Sequence, residues 1–212
     1  MSTLEIIKGT GVVAVIRKAS VDNILPIAEA LVNGGIKAIE ITLESPGALE
    51  AINIASQKLG NKAVIGAGTV LDSETARVAI MNGAKFVFSP TINIETIKIS
   101  KRYGVMCVAG ALTPTEILTA FEHGSDIIKV FPASLVGPKY FKDLHGPLPQ
   151  IPLMPTGGVD IENAGDYIQA GAVAVGVGST LVSSTSDIDD DYLRQIEYKA
   201  SEFIERIKLV RV

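Results

Sequence analysis

Short runs rich in β-branched residues alternate with amphipathic stretches along the whole chain. The runs are VVAVIR (12–17), KAIEIT (37–42), AVIGAG (63–68), KFVFS (85–89), VMCVAG (105–110), DIIKVF (126–131), PLMPT (152–156) and VAVGVG (173–178). Most lack polar alternation, the pattern of strands covered on both faces in a parallel sheet. Between them, Ile24, Ile27, Ala28 and Leu31 recur at helical spacing, and Gly34-Gly35 ends that helix. Ser45-Pro46 is expected to open the next helix, with proline in a first turn that needs no N–H. TPTE (113–116) reads as a capping box pairing Thr113 with Glu116, for a helix that stops at His123-Gly124. The last helix sets Leu193, Ile196, Ala200, Phe203 and Ile207 on one face, and a short helix is expected ahead of the first strand.

Eight such units predict an α/β fold, a (β/α)8 TIM barrel. An open doubly wound sheet is the alternative. It usually carries its phosphate-binding glycines after the first strand, whereas GTGVV precedes that strand in this chain. No linker or low-complexity stretch divides the sequence, so residues 1–212 read as a single domain.

Composition narrows the function. The chain is 47% hydrophobic with a mean hydropathy of +0.35, enough for one full core. Its net charge of −4 is poor for holding a nucleic-acid backbone. No apolar run reaches the roughly 18 residues of a membrane helix. MSTLEIIKGT lacks the apolar core of a secretory signal. A soluble, cytoplasmic protein with no nucleic-acid or membrane partner is expected. Cys107 is the only cysteine and reads as a small core residue, which leaves no internal disulfide or cysteine zinc site. His123 and His145 are the only histidines and are expected at a helix end and in a loop, so no metal site is expected.

In a TIM barrel the chemistry lies at the C-terminal ends of the strands. Arg17 ends the first run, Glu40 lies in the second, Thr69 follows the third and Lys129 lies in the sixth. TGG (156–158) and GST (178–180) follow the seventh and eighth. Each has a plain structural reading: a solvated arginine, a threonine starting a turn, tight βα turns, a Glu40–Lys129 ion pair. Together they describe a reaction. Burial disfavours the charged form of lysine and frees its amine to attack a carbonyl. The iminium that forms is an electron sink, and Glu40 is within the barrel wall to act as its base. Gly157, Gly158 and Gly178 allow an anion to approach the backbone, Ser179 adds a hydroxyl, and Arg17 offers a fork for a carboxylate. That set fits a lyase acting on a phosphorylated keto acid.

EITL (40–43), GAGTVLD (66–72), KVFPA (129–133) and PTGGV (155–159) resemble, in order and over nearly the whole chain, the 2-keto-3-deoxy-6-phosphogluconate (KDPG) and 4-hydroxy-2-oxoglutarate aldolases. The resemblance implies a class I aldolase that needs no metal or other cofactor. It would cleave KDPG to pyruvate and glyceraldehyde 3-phosphate, as in the Entner–Doudoroff pathway, and would work as a homotrimer. By motif position Lys129 would form the Schiff base and Glu40 would transfer protons. Thr69 and Phe131 would contact the substrate, and Thr156, Gly157, Gly158, Gly178 and Ser179 would hold its phosphate end. Many members carry an arginine four residues after the glutamate as the carboxylate ligand. This chain has Glu44 there, so the role passes to Arg17. LESP (43–46) and FPAS (131–134) lean toward the galactonate epimer, whereas PTGGV leans toward the gluconate substrate. The non-phosphorylated 4-hydroxy-2-oxoglutarate is a third substrate. A phosphate-barrel isomerase or synthase and a non-catalytic phosphosugar-binding protein are the alternatives of other classes.

Overall fold

The computed structural model describes residues 1–18, 20–183 and 188–211. Helix α1 (Thr3–Thr10) precedes β1 (Val12–Ile16). There follow α2 (Ile24–Asn33), β2 (Ala38–Thr42), α3 (Ala48–Leu59), β3 (Val64–Gly68), α4 (Ser73–Met81), β4 (Phe86–Phe88) and α5 (Ile94–Arg102). The chain continues through β5 (Met106–Ala111), α6 (Pro114–Glu122), β6 (Ile127–Val130), α7 (Gly137–His145), β7 (Leu153–Pro155), α8 (Ala164–Gln169), β8 (Val175–Val177) and α9 (Asp190–Val210). All eight expected strands are present, and every neighbouring pair is parallel. The sheet runs β7-β6-β5-β4-β3-β2-β1-β8. A bridge between Thr156 and Gly176 joins its two ends, and a TIM barrel results.

Two apolar layers hold this barrel. The larger lies between the outward faces of the strands and the helices, where Ile24, Leu31, Ile52, Phe141 and Phe203 are buried. The smaller fills the N-terminal end of the barrel interior with Val13, Ala38, Phe86, Met106, Ile127 and Met154. Ile7 of α1 plugs that end from below. The Arg211 guanidinium ties α9 across it, donating to the carbonyls of Lys8, Gly9 and Val173 at 2.6, 3.2 and 2.8 Å. With the bottom sealed by apolar groups, the mouth is left for polar ones. Cys107 is buried on β5, and burial pushes its thiol up to about 12.

Local signals are mostly obeyed. Thr113 and Glu116 form the capping box of α6, and His123 caps its C-terminus. His145 ends α7 instead of lying in a loop. Ser45-Pro46 is a correction. α3 starts at Ala48, after Gly47 in the left-handed region at φ 75°. The Ala48 amide closes a turn on the Ser45 carbonyl at 3.1 Å. A left-handed residue breaks the helical path, so Pro46 lies in the turn before the helix and not in its first turn.

Candidate active site

Strand register decides which residues share the barrel interior, because paired positions in a parallel sheet face the same side and alternate along each strand. Val15, Glu40 and Gly66 are in register across β1, β2 and β3. Gly110, Lys129 and Met154 are in register across β5, β6 and β7. Glu40 is 1% exposed and Lys129 3% exposed. Two ionisable side chains therefore project into a mostly apolar interior.

They do not neutralise each other by contact. The ion pairs among the described residues lie on the surface, such as Lys98–Glu95 and Lys139–Asp143, and Glu40–Lys129 is not one of them. Glu40 Oε2 is fully buried with no hydrogen-bond partner. Lys129 Nζ lies 5.0 Å from the ring centre of Phe131 and 5.9 Å from that of Phe88. Burial is the largest influence on both groups. It raises the Glu40 carboxyl and lowers the Lys129 ammonium, and the opposite charge of each partner only partly offsets this. Both shifts run toward the uncharged forms: burial frees the amine for attack and makes the Glu40 carboxylate a stronger base than an exposed one.

The second part of the site is a cavity of about 120 Å³ at the C-terminal ends of β1, β7 and β8. Arg17, Thr156, Gly157, Gly158, Gly178 and Ser179 line it. Gly157 and Gly158 are consecutive left-handed residues at φ 87° and 78°, a path that glycine adopts without strain. A Cβ on Gly158 would also stand 2.6 Å from that of Ser134. Among the described residues, the amides of Gly157, Gly158 and Ser179 have no acceptor. Free amides with an adjacent guanidinium make a cradle for an anion. The Thr156 hydroxyl is buried beside it, against Gly176, and lacks a partner.

Phe131 connects the two parts. Its ring covers the Lys129 amine, and a Cβ on Gly157 would meet its Cε2 at 3.2 Å. The chain after β6 is zipped to the cradle by Ala133 N–H to Thr156 O at 2.9 Å and Ser134 N–H to Gly157 O at 3.0 Å. Thr69 follows β3 at φ 54°. A β-branched residue in the left-handed region stores strain that the surrounding fold must hold, and such residues gather at functional sites. Arg17 is exposed, lies in the cradle and makes no ion pair with Glu44. Among the described residues, no three His, Cys, Asp or Glu side chains converge as metal ligands.

A larger groove of about 450 Å³ lies between the β2–α3 turn and α4, lined by Leu43, Ser45, Leu49, Glu74 and Val78. It contains neither the amine nor the cradle, so size does not mark the chemistry. Sequence reasoning missed three interior residues. Phe88 faces the amine, and Gly66 and Gly68 leave room for large neighbours. Two glycines spaced by two within one strand are the signal that marks the latter pair.

Comparison with known proteins identifies the family and the fold. Residues 4–198 match the family model described as KDPG and KHG aldolase. The 2-dehydro-3-deoxy-phosphogluconate aldolase of Pseudomonas aeruginosa is 37% identical over 185 residues, 87% of this chain and 83% of the relative. The 2-dehydro-3-deoxy-6-phosphogalactonate aldolase of Escherichia coli is 35% identical over 178 residues, 84% of this chain and 87% of the relative. A solved structure described as native KDPGal superposes with a TM-score of 0.88 at 32% identity, covering 94% of this chain and 95% of that one. KDPG aldolase from Legionella pneumophila, with pyruvate captured as a covalent carbinolamine, superposes with a TM-score of 0.81 at 26% identity, covering 99% and 98%.

The electrostatics predict the pH dependence of the amine. Trapping of a small carbonyl compound on Lys129 by borohydride should rise with pH and level off below the ordinary lysine value of about 10.4. The sign follows from burial, which disfavours the ammonium. Glu40→Gln removes the charge that supports the ammonium, so the midpoint should fall further. Trapping rates across pH in the two proteins check both points; a native midpoint at the solvent-exposed lysine value contradicts the assignment.

Proposed function

The chain belongs to the KDPG and KHG aldolase family, and we propose that its main reaction is the cleavage of KDPG to pyruvate and glyceraldehyde 3-phosphate. Membership makes it an aldehyde-lyase, a class I aldolase, which sets aside the isomerase and the non-catalytic binding readings. The observation that carries the substrate reading is the anion cradle one aromatic ring away from a buried, weakly basic lysine.

In this reading Lys129 Nζ attacks the keto carbon, and loss of water gives the iminium. Glu40 accepts the proton of the neighbouring hydroxyl as the carbon–carbon bond breaks. The bonding electrons pass into the iminium, leaving an enamine on Lys129 and releasing the phosphorylated aldehyde. Protonation of the enamine and hydrolysis release pyruvate. Thr69 and Phe131 hold the pyruvyl part. The amides of Gly157, Gly158 and Ser179 and the opening at Gly178 receive the phosphate. Arg17 lines that same cavity, and its guanidinium is assigned to the phosphate, where the sequence pattern favours the keto-acid carboxylate.

The gluconate epimer is the first reading, supported by the 37% identical phosphogluconate aldolase and by a Thr156 hydroxyl that is buried, unpartnered and beside the cavity, free to bond one substrate hydroxyl. A site that bonds a hydroxyl discriminates strongly against the compound that presents it elsewhere. The galactonate epimer is the second reading, favoured by the close superposition on the KDPGal structure. 4-Hydroxy-2-oxoglutarate would fill only the pyruvyl half of the site.

The chain would act as a homotrimer. Leu71, Val78 and Met81 lie on or next to α4 and are 54%, 45% and 65% exposed, an apolar surface suited to a second copy.

Incubation with pyruvate and borohydride should add one reduced pyruvyl group, mapped by peptide mass to Lys129. Lys129→Ala should lose both the adduct and cleavage, and kcat/KM should rank KDPG above its epimer and above 4-hydroxy-2-oxoglutarate. An adduct on another lysine, or a reversed ranking, overturns the corresponding part. Arg17→Ala should weaken KDPG by about 10- to 150-fold, the range for losing a hydrogen bond to a charged group. Pyruvate trapping should change little in the same variant, and an equal loss for pyruvate would return Arg17 to the carboxylate. Sedimentation equilibrium should give three chains per particle, and Val78→Glu should shift it toward one.

A further inference from the structure

Glu40 presents a positional problem. Its carboxyl group sits on three rotatable bonds, yet neither oxygen takes a hydrogen bond from a described residue, and Oε2 is fully buried. Packing must set where the acid points. The packing partner is visible on β3, where Gly66 and Gly68 both face inward. The space that a side chain at Gly66 would fill is taken by the Phe86 ring, which floors the site. The space at Gly68 is taken by Glu40: a Cβ there would overlap Oε1 and stand 2.6 Å from both Cγ and Cδ. Glu40 pairs in register with Gly66, whereas Gly68 is paired with Thr42, one step nearer the mouth. The glutamate side chain therefore leans toward the mouth along the bare face of β3.

We propose that Gly68 is a positioning residue for the proton-transfer step, and that its missing side chain holds the Glu40 carboxyl group where it meets the reacting carbon. The inference rests on Glu40 as the base. A methyl group at position 68 pushes the carboxyl group aside, and displacements of about 1 Å in such sites typically reduce rates by about 10²-fold. Lys129 is on β6, away from β3, so position 68 reaches iminium formation only through the charge of Glu40, which moves its pH midpoint and not its level at high pH.

The test separates these steps. In Gly68→Ala, borohydride trapping of pyruvate at high pH should remain near native, while deuterium exchange at the pyruvate methyl group, read by NMR, falls by about 10²-fold. Adding Glu40→Asp shortens the acid by one methylene, so exchange in the double variant should exceed the product of the two single effects. Exchange within about twofold of native in Gly68→Ala, or independent effects in the double variant, overturns the proposal. If Gly68→Ala does not fold, Gly68→Ala with Glu40→Ala should restore a native-like melting transition. A double variant that stays unfolded means that the collision lies elsewhere, and the proposal falls. Native-rate exchange in Glu40→Gln would overturn the reading of Glu40 as the base. Slow exchange in Glu40→Gln with native-rate exchange in Gly68→Ala overturns the role of Gly68 alone.

Discussion

Space inside an eight-stranded barrel is the constraint on which the site depends. The interior is just wide enough for side chains to fill, so a large or polar side chain can enter only where neighbours give way. The neighbours that do so are glycines. Gly66 accommodates Phe86, Gly68 accommodates Glu40, and Gly176 accommodates Thr156. Larger residues at these points would close the mouth with apolar packing, as Phe86, Met106 and Met154 close the opposite end. The barrel is thus divided along its axis into a sealed apolar floor and a thinned polar mouth.

That division sets the electrostatics. A buried ion pair in contact would satisfy both charges and leave the amine unreactive. Keeping Glu40 and Lys129 out of contact makes desolvation the dominant influence on each, and both move toward neutrality. Such an arrangement stabilises the fold poorly, because each buried polar group lacks a full partner. Glu40 Oε2 and the Thr156 hydroxyl are unpartnered, and Thr69 holds a left-handed backbone. These costs gather at one end of one barrel, which is the expected distribution when a stable scaffold carries a strained site.

Much of this is legible in the sequence. The eight β-branched runs announce the strands because each is buried on both faces. Lys129 and Glu40 stand out because a charge within an apolar run is expensive without a purpose. What lies beyond the sequence is the distance between side chains on different strands. The runs alone permit a Glu40–Lys129 contact pair, and register and side-chain lean decide against it. They also permit Arg17 to face either end of the substrate. Its position among the β7 and β8 loops depends on barrel closure through Thr156 and Gly176, a contact between residues 20 apart that no local pattern specifies. Ser45-Pro46 fails for a different reason: the local helix-start signal is sound, and Gly47 at the next position overrides it.

The same bridge joins the two halves of the candidate site. Thr156 closes the barrel through its backbone, turns its hydroxyl inward, and leads directly into the Gly157-Gly158 cradle. The carbonyls of Thr156 and Gly157 accept the amides of Ala133 and Ser134, two and three residues past Phe131. An anion held in the cradle is therefore tied by backbone to the ring that covers the Lys129 amine. Under the proposed reaction, binding energy gained at the remote phosphate would orient the reacting carbonyl. In a barrel this small, the strand that closes the wall and the loop that forms the cradle are the same few residues.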